Sequence, residues 1–230
     1  MTTEFPLSDE EALSDEEVQR VWAADSTARR DHFFTTVATT GIVWAWDEGY
    51  GGLERDDLDH ALVPLWPHRR LAEMSAAAMG HDPGPVTPIA LDEVLDDLLE
   101  WYHEEGHEIA VLPTDGTFTA ILSLERFRTE VFEARLRAAG LAETESRIRR
   151  DEFHADQRHR ASRRLDWSTD DRRDLVARLA DVECSDKFLV TEEWASARGT
   201  GWPRAARSLT VLGITCDCEA RDYFSASVGQ

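Results

Sequence analysis

Leu91-Asp92-Glu93-Val94-Leu95-Asp96-Asp97-Leu98-Leu99-Glu100-Trp101-Tyr102-His103-Glu104-Glu105-Gly106-His107-Glu108-Ile109-Ala110-Val111-Leu112 changes its hydrophobic period part-way along. Up to residue 105, Leu91, Val94, Leu95, Leu98, Trp101 and Tyr102 recur every three or four positions. Asp92, Glu93, Asp96, Asp97, Glu100 and Glu104 fall opposite them, so the spacing predicts a helix with those six apolar side chains inward. Gly106 is a natural helix stop, and from Glu108 the period becomes two. Residues 109–112 and 117–122 flank Pro113-Thr114-Asp115-Gly116, whose Asp-Gly pair favours a two-residue hairpin turn. A helix that runs into a hairpin points to an α+β fold.

Outward from this stretch the same alternation repeats. Downstream, Ser123 caps a helix to about residue 139, with Leu124, Phe127 and Val131 inward and Gly140 as its stop. Upstream, Ile42-Val43-Trp44-Ala45-Trp46 and Ala61-Leu62-Val63-Pro64-Leu65-Trp66 read as strands, the second with a proline that favours an edge or a bulge. A helix from Ser26 or Thr27 to about Thr39 precedes the first strand, and one from Pro67 to about Met79 follows the second. The order α-β-β-α-α-β-β-α implies a mixed or antiparallel sheet with helices on one face over residues 26–140.

An acidic N-terminal helix is expected within 1–25. There Leu-Ser-Asp-Glu-Glu occurs at 7–11 and again at 13–17, each copy a Ser-x-x-Glu capping box. Residues 141–165 read as a charged connecting helix, and 166–230 as a smaller C-terminal α+β unit with extended pieces near 187–190 and 208–215.

Composition bounds the function. The 230 residues are 42% hydrophobic and include eight tryptophans, which excludes disorder for most of the chain. No stretch reaches the roughly 20 apolar residues of a membrane span, and residues 1–17 lack a signal-peptide layout, so a cytoplasmic protein is expected. The formal charge of −21 opposes nucleic acid and anionic membrane as partners. Lys187 is the one lysine among 25 basic residues, which fits either a halophilic cytoplasm or a GC-rich coding bias. Three cysteines make a poor disulfide framework.

Four features in register bear on family. These are residues 33–46, Val63-Pro64-Leu65-Trp66-Pro67-His68, Ile89-Ala90-Leu91-Asp92-Glu93-Val94-Leu95, and the acidic-Gly-x-x-x-Ala-Val run ending at Val111. Together they resemble the family catalogued as domain of unknown function 2750, over about residues 28–137. The resemblance implies an α+β fold and a helix-to-strand turn at Gly106. It implies no activity, cofactor or site residue.

His103-Glu104-Glu105-Gly106-His107 matches the His-Glu-x-x-His pattern of zinc hydrolases, in which two histidines one helical turn apart hold the metal and the glutamate activates water. The pattern needs a helix that continues through the second histidine, and Gly106 argues against one. Cys216-Asp217-Cys218 lacks the Cys-x-x-Cys spacing of metal sites and reads as packing. His154 and His159 are five apart and diverge around a helix. Nine arginines against six acids over 147–173 read as neutralising the chain's own acidic faces. Gly199-Thr200-Gly201 lacks the Lys-Ser/Thr of a phosphate loop.

Trp44, Trp46, Trp66 and His68 remain as binding candidates. They border a strand end and a helix start, a place suited to an apolar or anionic ligand, although tryptophans on such strands more often pack in the core.

The expectation is a binding protein of accessory, regulatory or immunity type, without catalytic residues, metal or cofactor. The charge favours a basic protein partner. A zinc hydrolase at His103, Glu104 and His107, and a small-ligand binder at the tryptophans, are the alternatives.

Overall fold

The computed structural model describes residues 13–46, 54–55, 61–80, 84–115, 117–183, 185 and 187–228, with backbone alone at 54–55, 103–104 and 227–228. The chain divides into two compact units, Met1–Leu141 and Ala142–Gln230.

The first unit is α+β. Helix α1 (Asp15–Ala23) starts at a capping box in which Ser14 Oγ accepts from the Glu17 amide and Glu17 accepts from the Ser14 amide. The matching copy at 7–11 lies outside the described residues. Helix α2 (Ser26–Thr40) is capped one residue earlier than expected, by Asp25, which accepts from the Ala28 amide at 2.9 Å. Strands β1 (Ile42–Trp46), β2 (Glu54–Arg55) and β3 (Ala61–Leu65), helix α3 (Arg69–Met79) and strand β4 (Val86–Ala90) follow. The helix predicted at 91–105 forms in three pieces: α4 (Leu91–Glu93), a π-helical turn (Val94–Leu98) and α5 (Leu99–Glu105). Strands β5 (Glu108–Val111) and β6 (Ala120–Leu122) and helix α6 (Leu124–Ala139) complete the unit.

The strands form a mixed sheet in the order β2-β3-β5-β6 and a two-stranded antiparallel sheet of β1 and β4. Strand β3 runs parallel to β5, and β5 pairs antiparallel with β6 with Ile109 opposite Leu122. The same register reaches the hairpin tip, where the Thr114 amide donates to the Thr117 carbonyl at 3.0 Å. Trp44 and Trp66 exchange backbone hydrogen bonds of 2.8 and 2.9 Å, which ties β1 to the residue just past β3. This explains a proline in an interior strand. Trp66 donates its amide away from β5, and Pro64, two residues earlier, faces the same side, so the proline withholds no bond from β5.

Strand β4 was not expected. Pro88 and three half-buried neighbours disguise it, since of its five residues Ile89 alone is fully buried. The core gathers Phe33, Phe34 and Val37 from α2, Trp46 from β1, Trp66, Leu71 from α3, and Phe127 and Val131 from α6.

The second unit is helical throughout its described residues: α7 (Glu143–Leu165), α8 (Thr169–Leu179), α9 (Leu189–Ala197), α10 (Trp202–Val211) and α11 (Asp217–Val228). The α+β class holds for the chain, but the expected extended pieces near 187–190 and 208–215 are corrected. The first leads into α9, and the second is the end of α10 and the turn after it. Both apolar runs are too short for periodicity to tell strand from buried helix. Asp217 organises this unit. Buried at the start of α11, its carboxylate accepts from the Val190 and Thr191 amides at 2.8 and 2.9 Å and from Thr191 Oγ1 at 2.6 Å, capping α9 from another helix.

Candidate functional site

The segment that decides the fold also carries the most distinctive local geometry. Within the π-helical turn the Leu99 amide reaches back to the Val94 carbonyl, five residues away. One extra residue in the turn shifts everything after it by about 100° of helical phase. Before the turn Leu91 and Val94 are buried, as expected. After it Leu99 and Tyr102 take the inward positions, and Trp101 turns out to 39% exposure. The expectation of an inward Trp101 is thereby corrected, and the cause is the π turn, which a fixed 3.6-residue period does not anticipate.

Arg128 holds this turn from α6. At 5% exposure it is a deeply buried arginine. Its Nε and Nη2 both donate to the Leu95 carbonyl inside the turn, the Nε at 3.2 Å, and Nη1 and Nη2 lie 3.3 Å from Glu100 Oε1. A planar fork suits this task, because one guanidinium serves a carbonyl and a carboxylate together.

Helix α5 then ends at Glu105. Gly106 adopts φ 77°, and the His107 amide donates to the Tyr102 carbonyl at 2.9 Å, the six-to-one bond of a Schellman stop. His107 therefore lies outside the helix that carries His103. Its ring is 6% exposed and packs 5.8 Å from the Trp101 ring and 6.2 Å from that of Tyr102. His107 is a buried support beneath Trp101. The side chains of His103 and Glu104 lie outside the described residues. Among those described, no group of three metal-ligating side chains comes together.

The result is a surface helix that carries a half-exposed indole and several exposed carboxylates. Asp97 and Glu105, four residues before and after Trp101, are exposed, as are Asp92 and Glu93. Asp92 is paired with Arg135 at 2.7 Å.

The four binding candidates from the sequence divide differently. Trp46 and Trp66 are fully buried with ring centroids 4.4 Å apart, and their indole N–H groups donate to the Ala72 and Pro113 carbonyls at 3.2 and 3.0 Å. Trp44 is buried as well. His68 is half-buried and sits 5.3 Å, ring to ring, from His32 on α2, a residue that sequence reasoning passed over. A lone histidine beside two phenylalanines carries no signal until the fold brings a second one to it. Both Nε2 atoms are buried without a hydrogen-bond partner, as is Nε of Arg29, one helical turn before His32. Burial, with a smaller contribution from His32, lowers the His68 pKa to about 4 against a slight opposing pull from Glu17; burial lowers that of His32 too.

Elsewhere, His154 and His159 are exposed on α7. Along the arginine-rich stretch Arg149, Arg160 and Arg173 pair with Glu145, Asp156 and Asp170 within one turn of helix. Cys216 and Cys218 lie at the start of α11 with their Sγ atoms 2.8 Å apart, Cys216 buried and Cys218 half-buried. No helix among the described residues is long and apolar enough to cross a membrane.

Residues 30–131 match the family described as a protein of unknown function, DUF2750. The match covers β1 to β6, most of α2 and the first half of α6, and so includes the π turn, Trp101, Arg128 and the His32–His68 pair. Neither a curated protein nor a solved structure matches the chain.

Proposed function

We propose that this protein acts by binding, and that its first unit engages a basic protein partner through the surface of the 91–105 helix centred on Trp101. The observation that carries the reading is the outward turn of Trp101 by a π turn that a buried arginine holds in place. A large aromatic surrounded by polar groups is the usual anchor of a protein interface. Carboxylates around it steer a basic partner and weaken as salt rises, in keeping with the overall charge of −21. Zinc hydrolysis at His103, Glu104 and His107 is the reading the backbone supports least, because the Schellman stop at Gly106 removes the one-turn spacing that two ligands on one helix require.

Affinity capture from the native host tests this with wild type and Trp101→Ala side by side, at about 0.05 M and about 0.5 M salt. The expected result is a basic species held by wild type at low salt and lost both with the substitution and at high salt. An unchanged set of captured proteins in Trp101→Ala would refute it.

The orphaned nitrogens of Arg29, His32 and His68 favour a second reading, a small anion bound between α2 and the start of α3. An anion there stabilises the imidazolium and raises the histidine pKa, so binding takes up protons and strengthens as pH falls. Proton uptake measured calorimetrically in buffers of different ionisation enthalpy, absent in His68→Gln, is the expected result; binding independent of pH excludes it.

A further inference from the structure

The second unit contains a pocket of about 440 Å³ lined by Arg164, Arg198 and Arg204, by Trp167, and by the Gly199-Thr200-Gly201 loop that leads into α10. That volume falls in the range of small-ligand sites. Its walls are polar and its balance of charge is cationic, in a chain whose net charge is −21. Two carboxylates also line it, those of Asp166 and Asp171. Asp171 is already engaged, accepting from the Ser168 amide at 3.0 Å, from Ser168 Oγ at 2.6 Å and from Arg198 Nε at 3.1 Å, and these bonds lower its pKa. Arg198 is in turn shared between Asp171 and Asp174 and stacks over Trp194 at 4.3 Å. These pairs fix the wall of the pocket.

Three donor groups face different circumstances. Helix α10 starts at Trp202 without a side-chain cap at Gly201; Pro203 carries no amide hydrogen and the Arg204 and Ala205 amides donate to the Gly201 carbonyl at 3.1 Å, which leaves the Trp202 amide at the open start of the helix. Trp167 is 5% exposed and wedged against Trp194 and Phe224, yet its Nε1–H, on a residue that lines the pocket, has no hydrogen-bond partner. Nε of Arg204 is likewise buried and without a partner. A buried indole N–H normally finds an acceptor, and leaving such a group unmet is destabilising. Unmet donors from an indole and a guanidinium, beside an open helix N-terminus, share one missing complement: an acceptor-rich anion.

We infer that this pocket binds a small molecule through a phosphate group, with Arg204 and the Trp167 indole N–H as its donors and the start of α10 as its cradle. Helix N-termini and arginine forks are the two general devices for holding phosphate. The site lies wholly in the second unit, outside the family match, and does not depend on the partner reading of the first.

Isothermal titration of the full chain with inorganic phosphate and with pyrophosphate, against sodium chloride at matched ionic strength, tests it. The expected result is saturable binding that chloride does not reproduce. Tighter binding of pyrophosphate points to a phosphorylated small molecule as the natural ligand, and equal binding points to free phosphate. Arg204→Gln should weaken binding about tenfold or more, and Trp167→Phe, which keeps an aromatic wedge and removes the N–H, severalfold. Far-UV circular dichroism checks that the helices persist. If Arg204→Gln loses helix, Trp167→Phe decides alone. Heat no greater than that of chloride, or affinity unchanged in the folded variants, would overturn the inference.

Discussion

Replacing Arg128 by leucine isolates the device that turns Trp101 outward. Leucine keeps apolar volume in a 5% exposed site but removes every donor to the π turn. The two bonds to the Leu95 carbonyl come from a charged group, each in the class worth about 1.5–3 kcal/mol when buried, and sharing one acceptor makes them less than additive. Glu100 is 38% exposed, so its pairing adds less than about 1 kcal/mol. A loss of about 3 kcal/mol follows, a fall of roughly 10 °C in the unfolding midpoint of a unit this size. Arg128→Lys keeps the charge without the fork and should recover about half. Differential scanning calorimetry gives the midpoints, and near-ultraviolet circular dichroism follows the indole environment as the turn relaxes. A loss below about 1 kcal/mol with an unchanged tryptophan spectrum would refute the assignment of Arg128 as the clamp.

Other consequences are open to test. Asp217→Asn retains shape but weakens the cap on α9; urea titration should show a loss of about 2–3 kcal/mol in the second unit, and a neutral outcome would remove Asp217 as its organiser. His68 and His32 have folded pKa values below that of a free imidazole, so the unfolded chain binds protons more readily. Their contribution is complete above about pH 6.5 and lost as pH falls toward about 4. Stability should decline over that window, and His68→Gln should flatten the decline; a parallel pH profile in the variant would contradict the burial argument. Gly106→Ala places a side chain at φ 77° and should cost about 1 kcal/mol by thermal melt, whereas a stabilised variant would mean that the helix prefers to continue through His107.

Much of this architecture was legible because local chemistry and global pattern agree. Ser14 and Ser123 cap helices where the sequence places them, and Gly41, Gly80 and Gly140 all have positive φ at helix ends. The bond between Thr114 and Thr117 stands in register with β5 and β6, and the stop at Gly106 sets His107 off the helix. Other features depend on partners distant in the chain. The π turn needs Arg128, 33 residues beyond Leu95, to satisfy its carbonyl, so no window of residues 91–105 reveals it, and Trp101 reads as core. Strand β4 exists because β1 offers it an edge, against the preference of Pro88. In the second unit, 187–190 lead into a helix because Asp217 supplies acceptors to its first amides from 26 and 27 residues away. The site candidates follow the same rule. Trp46 and Trp66 were found by their size and proved to be core, while His32 and the unmet Trp167 N–H became visible only once the fold had placed their neighbours.

Oxidative footprinting of the eight tryptophans tests the account most directly, because it asks whether the π turn presents Trp101 to solvent and to a partner. In the free chain Trp101 should be oxidised far faster than Trp46 and Trp66, and partner-bound chain should protect it selectively. Protection of Trp101 equal to that of Trp46 in the free chain, or full oxidation in the complex, would contradict the account.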